Sequence, residues 1–472
     1  YQTMIDKGLD PEFSPAVARQ LAGMSAAPAD PTVRDLRALL WSSIDNDDSK
    51  DLDQLTVAED LGGGRARLLV AVADVDALVK QGTPIDQRAE HNTTSVYTPA
   101  VVFHMLPAQL STDLTSLNEG VERLALVMDM TVDADGTVSA SDVYRARVTS
   151  KAQLTYNAVG SWLDGKSAAP DKVAATAGLA ENLKLQDRAA DALRKRRHDN
   201  GALDLDTIEP RAVMRDGEVV DLQQDPRNNA KMLIEDAMIA SNGVTARLLS
   251  QNGWPSLRRI VRSPKRWDRI AALALELGEK LPGEPDSKAL EAFLLARKKA
   301  DPLRFPDLSL AVVKAMGAGE YAVELPGETP TGHFGLAVRD YSHSTAPNRR
   351  FPDLITHRLL KALLAGEPQP YSNEALVALA AHCTLQEDAA NKVERQMIKS
   401  AAASLLESKI GQRFEGIVTG ASQKGTWVRI FRPPVEGRVV RDFDGLDIGQ
   451  RIAVKLLSTN VEKGFIDFAR AH

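Results

Sequence analysis

Apolar and polar residues follow two different periods along this chain, and the places where the period changes divide it into three parts. Residues 11–21 and 33–40 repeat apolar positions every three or four residues, which predicts short helices joined through an Ala/Pro/Asp linker at 26–31. Two such helices could form a helix-turn-helix, although no basic recognition face accompanies them. Beyond residue 41 the period drops to two. The runs 55–61 and 66–75 flank Gly62-Gly63-Gly64, and 124–132 and 138–148 flank Asp135-Gly136, so each pair predicts a β-hairpin. Helical periodicity returns at 171–198, 229–251, 264–280, 287–300, 352–365 and 387–408, with a small hairpin around Asp216-Gly217. After Gly411 five short alternating strands are broken by glycine and polar turns, which predicts a closed barrel of the OB type. The expected fold is α+β: a helical module over 1–40, a large mixed body over 41–410 and an OB-fold barrel over 411–472.

The densest chemistry lies in the nine residues Asp45-Asn46-Asp47-Asp48-Ser49-Lys50-Asp51-Leu52-Asp53, which hold five carboxylates. So much like charge in one turn is costly unless a cation sits among the carboxylates or water solvates them all. A hard divalent ion such as magnesium, which takes oxygen ligands, satisfies the first case. A solvated acidic loop satisfies the second. A calcium-binding EF-hand loop starting at Asp45 is excluded, because Lys50 and Thr56 stand where it needs Gly and Glu. Asp51 and Asp53 project to the same side if that segment is extended.

Composition narrows the partners. Among 472 residues, 43% are hydrophobic and 26% charged, as in an ordinary soluble globular protein, and no run is long and apolar enough to predict a membrane span. The first residue is Tyr1, and no signal-peptide pattern follows it. Cys383 is the only cysteine, which excludes an intrachain disulfide and a cysteine-based zinc site and fits a reducing cytoplasm. The net charge of −6 argues against a protein that coats DNA. Basic residues nevertheless cluster at 194–197, 258–266, 297–299 and 349–350, which suggests a metal site within a basic channel. No P-loop, dinucleotide-binding glycine fingerprint or serine-hydrolase elbow occurs.

Several separated motifs occur together: Ile44-Asp45 with Asp51-Leu52-Asp53, Tyr97-Thr98-Pro99, Leu110-Ser111-Thr112-Asp113-Leu114, Leu154-Thr155-Tyr156, Gly201-Ala202-Leu203-Asp204 and Ile234-Glu235-Asp236-Ala237-Met238. The most specific runs from His333 through Ser344-Thr345-Ala346-Pro347-Asn348-Arg349-Arg350-Phe351-Pro352-Asp353 to His357-Arg358. In this order they resemble the ribonuclease II/ribonuclease R family, over 41–410 for the RNB-type catalytic body and 411–472 for an S1-like OB-fold. The resemblance implies a cytoplasmic, monomeric 3′→5′ exoribonuclease, dependent on magnesium with manganese as an alternative. It would degrade single-stranded RNA with a free 3′ end processively to nucleoside 5′-monophosphates. It assigns metal binding to Asp45, Asp51 and Asp53, and catalysis to Asp51, Asp53 and Arg349, with Arg349 against the scissile phosphate. RNA contacts are implied for Tyr97, Tyr156, Glu235 and Arg349. The aromatic faces of Tyr97 and Tyr156 suit stacking that tolerates any base. From the barrel pattern, Trp427 and Phe414 are candidate stacking residues, or members of the barrel core.

Two departures from the family pattern keep alternatives open. Gln54 stands where the family's Asp-x-Asp-Asp cluster ends in a fourth carboxylate, so the alignment shifts, or the metal is held with one less charge, or Asp47 or Asp48 compensates, or activity is lost. In the last case the chain would be an RNA-binding regulator on an impaired scaffold. Leu205 occupies the place of an aromatic platform, which implies looser clamping of the terminal bases. A single-stranded DNA exonuclease is a further reading. Relatives typically carry two cold-shock barrels ahead of the body, on the order of 150–200 residues. With only the 1–40 module ahead of it here, a wider or differently gated entrance is expected.

Overall fold

The computed structural model of the protein describes residues 1–472 other than 28–29, 209, 225–226, 423–424, 447 and 472. Part of the linker expected at 26–31 therefore lies outside the described residues.

Seven strands form the central sheet: β1 (Arg34–Asp35), β2 (Ser42–Asp45), β3 (Gln54–Gly62), β4 (Arg65–Ala73), β5 (Glu122–Val132), β6 (Val138–Thr149) and β7 (Ala152–Thr155). Their spatial order is β1-β6-β5-β4-β3-β2-β7. Both expected hairpins are present as the antiparallel pairs β3–β4 and β5–β6. Helices cover both faces of the sheet, which is why the middle of β4 reads as an unbroken apolar run, Leu68 through Ala73. Leu68, Val70 and Val72 meet α1 (Leu179–Asp199) and α2 (Asn229–Gln251) on one side. Leu69 and Ala71 belong to the opposite core with α3 (Phe351–Ala365) and α4 (Asn373–Glu407).

The Asp135-Gly136 turn rests directly on α1. Gly136 has φ +79°, and a Cβ there would lie 2.1 Å from the Ala192 carbonyl oxygen. Gly136→Ala combines left-handed strain with a backbone clash, so it should cost about 1–3 kcal/mol. An unchanged urea midpoint would show instead that the turn can lift off the helix.

Residues 33–40 differ from the helix predicted for them. Arg34–Asp35 pairs in parallel with Ala146 and Arg147 of β6, and the Leu36 N–H continues that ladder to the Arg147 carbonyl. The charged side chains close the edge through Arg37–Asp35, Arg37–Glu122 and Arg34–Asp142. A free sheet edge outweighs the weak propensity of so short a helix. The helices Gln2–Asp6 and Pro15–Ala22 pack on different parts of the body. Met4 lies with Val96, Phe103 and Val393, and Val17 lies in the core beneath the sheet. α4 begins at Asn373, well before the predicted 387, with the Ser372 hydroxyl capping the Ala375 N–H.

A buried ionic network ties α3 to the loop after β4. Arg358, 4% exposed, reaches Asp76 at 2.9 Å, Asp86 at 2.7 Å, the Tyr371 hydroxyl and the Val79 carbonyl. Lys361 bridges Asp74 and Asp76, both at 2.7 Å.

The C-terminal strands β8 (Arg413–Ser422), β9 (Gly425–Ile430), β10 (Val435–Arg441), β11 (Arg451–Asn460) and β12 (Phe465–Arg470) close into the expected barrel. Its core of Val418, Val428, Ile430, Val454 and Phe468 continues into Ala402, Ala403 and Leu406 of α4. Phe414 packs edge-on against Phe468, with ring centroids 6.4 Å apart, so its ring belongs to the barrel core. Among the described residues, no helix is long and apolar enough to cross a membrane.

Candidate active site

Parallel pairing of β2 with β7 sets Asp45 beside Thr155, so the chain delivers Asp45 next to Tyr156, the first residue of the helix Tyr156–Leu163. One Asp45 oxygen accepts from the Asn46 N–H at 2.7 Å and the Ser49 hydroxyl at 2.9 Å. Burial nonetheless pushes its carboxyl above the usual range. Farther along, the Leu52 N–H donates to the Ser116 hydroxyl and the Leu52 carbonyl accepts from Leu117, which holds 51–53 in place while Leu52 enters the core.

Asp53 is only 2% exposed. Its Oδ1 accepts the Asn348 N–H at 3.0 Å, and Oδ2 lies 3.3 Å from Arg349 Nε. Burial dominates and pushes the Asp53 carboxyl up to about 7; Arg349 and the Asn348 amide pull it back, and Asp51 adds to the rise. The loop carrying Arg349 is itself fixed. Asp353 accepts from the Ala346 N–H and is gripped by Arg350 at 2.8 Å, while the Arg349 carbonyl accepts from Ser95 and Thr94.

That last tie brings in Tyr97. Its hydroxyl donates to Asp51 at 3.1 Å, and its N–H donates to Glu394 of α4 at 2.8 Å. Tyr156 completes the group: burial and the nearby Asp45 raise its hydroxyl pKa, while Arg349 opposes them. The structure thus gathers Asp45, Asp51, Asp53, Arg349, Tyr97 and Tyr156 at one end of the sheet.

Other candidates lie apart. Glu235 is half-exposed on α2 and pairs with Arg227 at 3.0 Å. Trp427 stands on the barrel opposite Arg438 in the β9–β10 register, its ring over Gly420 and Gly425. Asp47 accepts from Asn157 and Asp48 pairs with Arg211, so neither carboxylate has turned toward Asp53. Gln54 is the first residue of β3, 9% exposed. Leu205 packs against the apolar cluster of Trp267 and Phe305.

The donors at Asp45, Asp51 and Asp53 are all carboxylate oxygens, the chemistry a hard cation prefers, and buried Asp53 is only partly neutralised by Arg349. Their oxygens are engaged by Ser49, Tyr97 and Arg349, and among the described residues no three side chains converge as a ligand group.

Sequence reasoning missed Asn348, Glu394 and Arg227. Asn348 lies inside the motif Ser344–Asp353, which was a usable signal, whereas Arg227 precedes the motif at Ile234 by seven residues and carried none of its own. Glu394, on a helix face far along the chain, gave none.

The RNB domain family matches residues 33–366, and the RNase II-type exonuclease C-terminal S1 domain matches 412–471. The chain belongs to the ribonuclease II/R family of RNB proteins. Ribonuclease R of Escherichia coli is 30% identical over 492 aligned residues, which cover 96% of this chain and 60% of that relative. The RNB chain thus spans about three-fifths of the length of such relatives. Mycoplasma genitalium RNase R, solved in complex with double-stranded RNA, superposes with TM-score 0.88 at 25% identity, covering 99% of this chain and 82% of its own. Yeast Ssd1, described as a pseudonuclease, shares the fold at TM-score 0.71 and 19% identity, covering 92% of this chain and 53% of its own. The RNB fold therefore does not by itself decide activity; the residues at the site must.

Proposed function

We propose that this RNB protein is a 3′→5′ exoribonuclease that hydrolyses single-stranded RNA processively to nucleoside 5′-monophosphates, acting as a cytoplasmic monomer on a free 3′ end. The observation that carries the reading is the Asp53–Arg349 pair, 3.3 Å apart, set beside Asp51 and Tyr97. Only Arg349 Nε is paired among the described residues, and the side chain is 42% exposed. Its remaining donors are therefore free to form a fork onto a phosphate, whose negative charge grows in the transition state. Asp45, Asp51 and Asp53 are the residues that would hold the ion. Magnesium there, or manganese in its place, supplies Lewis-acid polarisation of the phosphoryl oxygen and a water of lowered pKa.

The protein's own groups do the rest. Tyr97 and Tyr156 offer stacking faces beside the carboxylates, which bind a terminal nucleotide without reading its sequence. The Tyr97 hydroxyl holds Asp51 in place, and the Asn348 amide and Arg349 hold Asp53. A 2′-hydroxyl contact is the means by which such a site prefers RNA to DNA.

The test uses 5′-labelled single-stranded RNA and a DNA oligomer of the same sequence, with magnesium or with EDTA, resolved on a denaturing gel. A ladder or short limit product of 5′-labelled fragments from RNA alone, abolished by EDTA, is expected. Intact RNA that still shifts in a native gel would instead identify an RNA-binding protein on an inactive scaffold, the reading Gln54 favours. Equal degradation of the DNA oligomer would identify a nuclease that does not select ribose.

A further inference from the structure

Tyr156 is placed by a residue from a different part of the chain. Asn228 precedes α2, and its Oδ1 accepts the Lys231 N–H at 3.0 Å, capping that helix. This fixes the orientation of the amide, so Nδ2 faces the other way and donates to the Tyr156 carbonyl at 3.1 Å. The fit is close. A Cβ on Gly160, one turn along from Tyr156, would lie 2.3 Å from Asn228 Cγ, so the amide occupies space that only glycine leaves open. A second tie fixes the far end of the same short helix: the Asn229 N–H donates to Asp164, its C-cap, at 3.2 Å. Across from Tyr156, the neighbouring Asn157 side chain donates to Asp47 of the acidic loop.

We propose that Asn228 is a positioning residue for Tyr156. One side chain caps α2 and sets the first turn of the helix Tyr156–Leu163, and so fixes where the Tyr156 ring lies beside Asp45. The inference rests on the nuclease reading, in which that ring stacks on the 3′-terminal base. Arg227, next to Asn228, reaches Glu235 and Asp204 at 3.0 and 3.3 Å, so the segment that carries Asn228 is itself tied down on the α2 side.

Asn228→Asp separates the two roles of the side chain. A carboxylate still accepts the Lys231 N–H and suits a helix N-terminus, so the cap and the melting temperature should be retained. It cannot donate to the Tyr156 carbonyl. The probe is single-stranded RNA ending in 3′ 2-aminopurine, read by fluorescence in EDTA and by steady-state kinetics in magnesium. The variant should lose most of the stacking quench, and KM should rise about tenfold with kcat within about twofold of wild type. In a Tyr156→Ala background, Asn228→Asp should then change neither reading, because the ring it positions is gone. A variant matching wild type in both quench and KM overturns the inference and leaves the nuclease reading standing. So does an equal loss in the Tyr156→Ala background. A wild-type protein that releases no nucleotide removes the nuclease reading and this inference with it.

Discussion

Replacing Asp53 by Asn is expected to slow nucleotide release by at least about 10²–10³-fold while leaving the protein no less stable. The two halves of that result have one cause. Asp53 is buried beside Asp51, and its carboxyl is pushed up to about 7 despite Arg349 and the Asn348 amide. The folded state therefore binds this proton more tightly than the unfolded state does. Without a bound ion, the group lowers stability progressively as pH rises from the ordinary carboxylate range toward 7. Asn keeps an acceptor for the Asn348 N–H and removes that charge, so urea midpoints of the variant should fall less over this pH window. Magnesium should raise the melting temperature of the wild type more than that of the variant, because the ion offsets a charge only the wild type carries. A variant cleaving within threefold of wild type, or one markedly less stable at pH 7.5, would defeat the argument.

The second large effect lies away from the site. Arg358→Ala should destabilise the protein by about 3–5 kcal/mol, because it leaves Asp76 and Asp86 buried without their shared partner. Lys361 remains beside Asp76, whereas Asp86, 2% exposed, keeps only the Gly82 N–H and has no ion-pair partner but Arg358 among the described residues, so it suffers most. A loss below about 1 kcal/mol in urea unfolding would mean that water or repacking reaches these carboxylates. Activity per folded molecule should persist, since none of these groups touches Asp53 or Arg349.

Much of this architecture was legible in the chain because the signals were local. Gly62–Gly64 and Asp135-Gly136 each sit between strands they join, and the barrel strands follow one another closely. The crowding of Asp45, Asp51 and Asp53 was equally visible, because like charge in one turn demands a reason. What escaped depended on contacts between distant segments. Arg34–Asp35 is a strand only because β6, over a hundred residues later, presents a free edge. The first turns of α4 mix alanine with His382, Cys383 and Thr384, so their periodicity is faint, although the Ser372 cap marked the start. The partners of Tyr97 and Tyr156, namely Glu394 and Asn228, come from helices whose own patterns say only which face is buried.

α4 runs unbroken for 35 residues, about 52 Å at 1.5 Å per residue. It holds Tyr97 through Glu394 and, twelve residues on and roughly 18 Å away, enters the barrel core at Leu406. A continuous helix of that kind is a ruler. If Trp427 on the barrel is a second hold on the RNA, its spacing from the scissile bond is constant, and a shrinking strand would lose that hold at a fixed length. The size of the final fragment would then be written in the helix, and an insertion or deletion of whole turns between Glu394 and Leu406 would rewrite it.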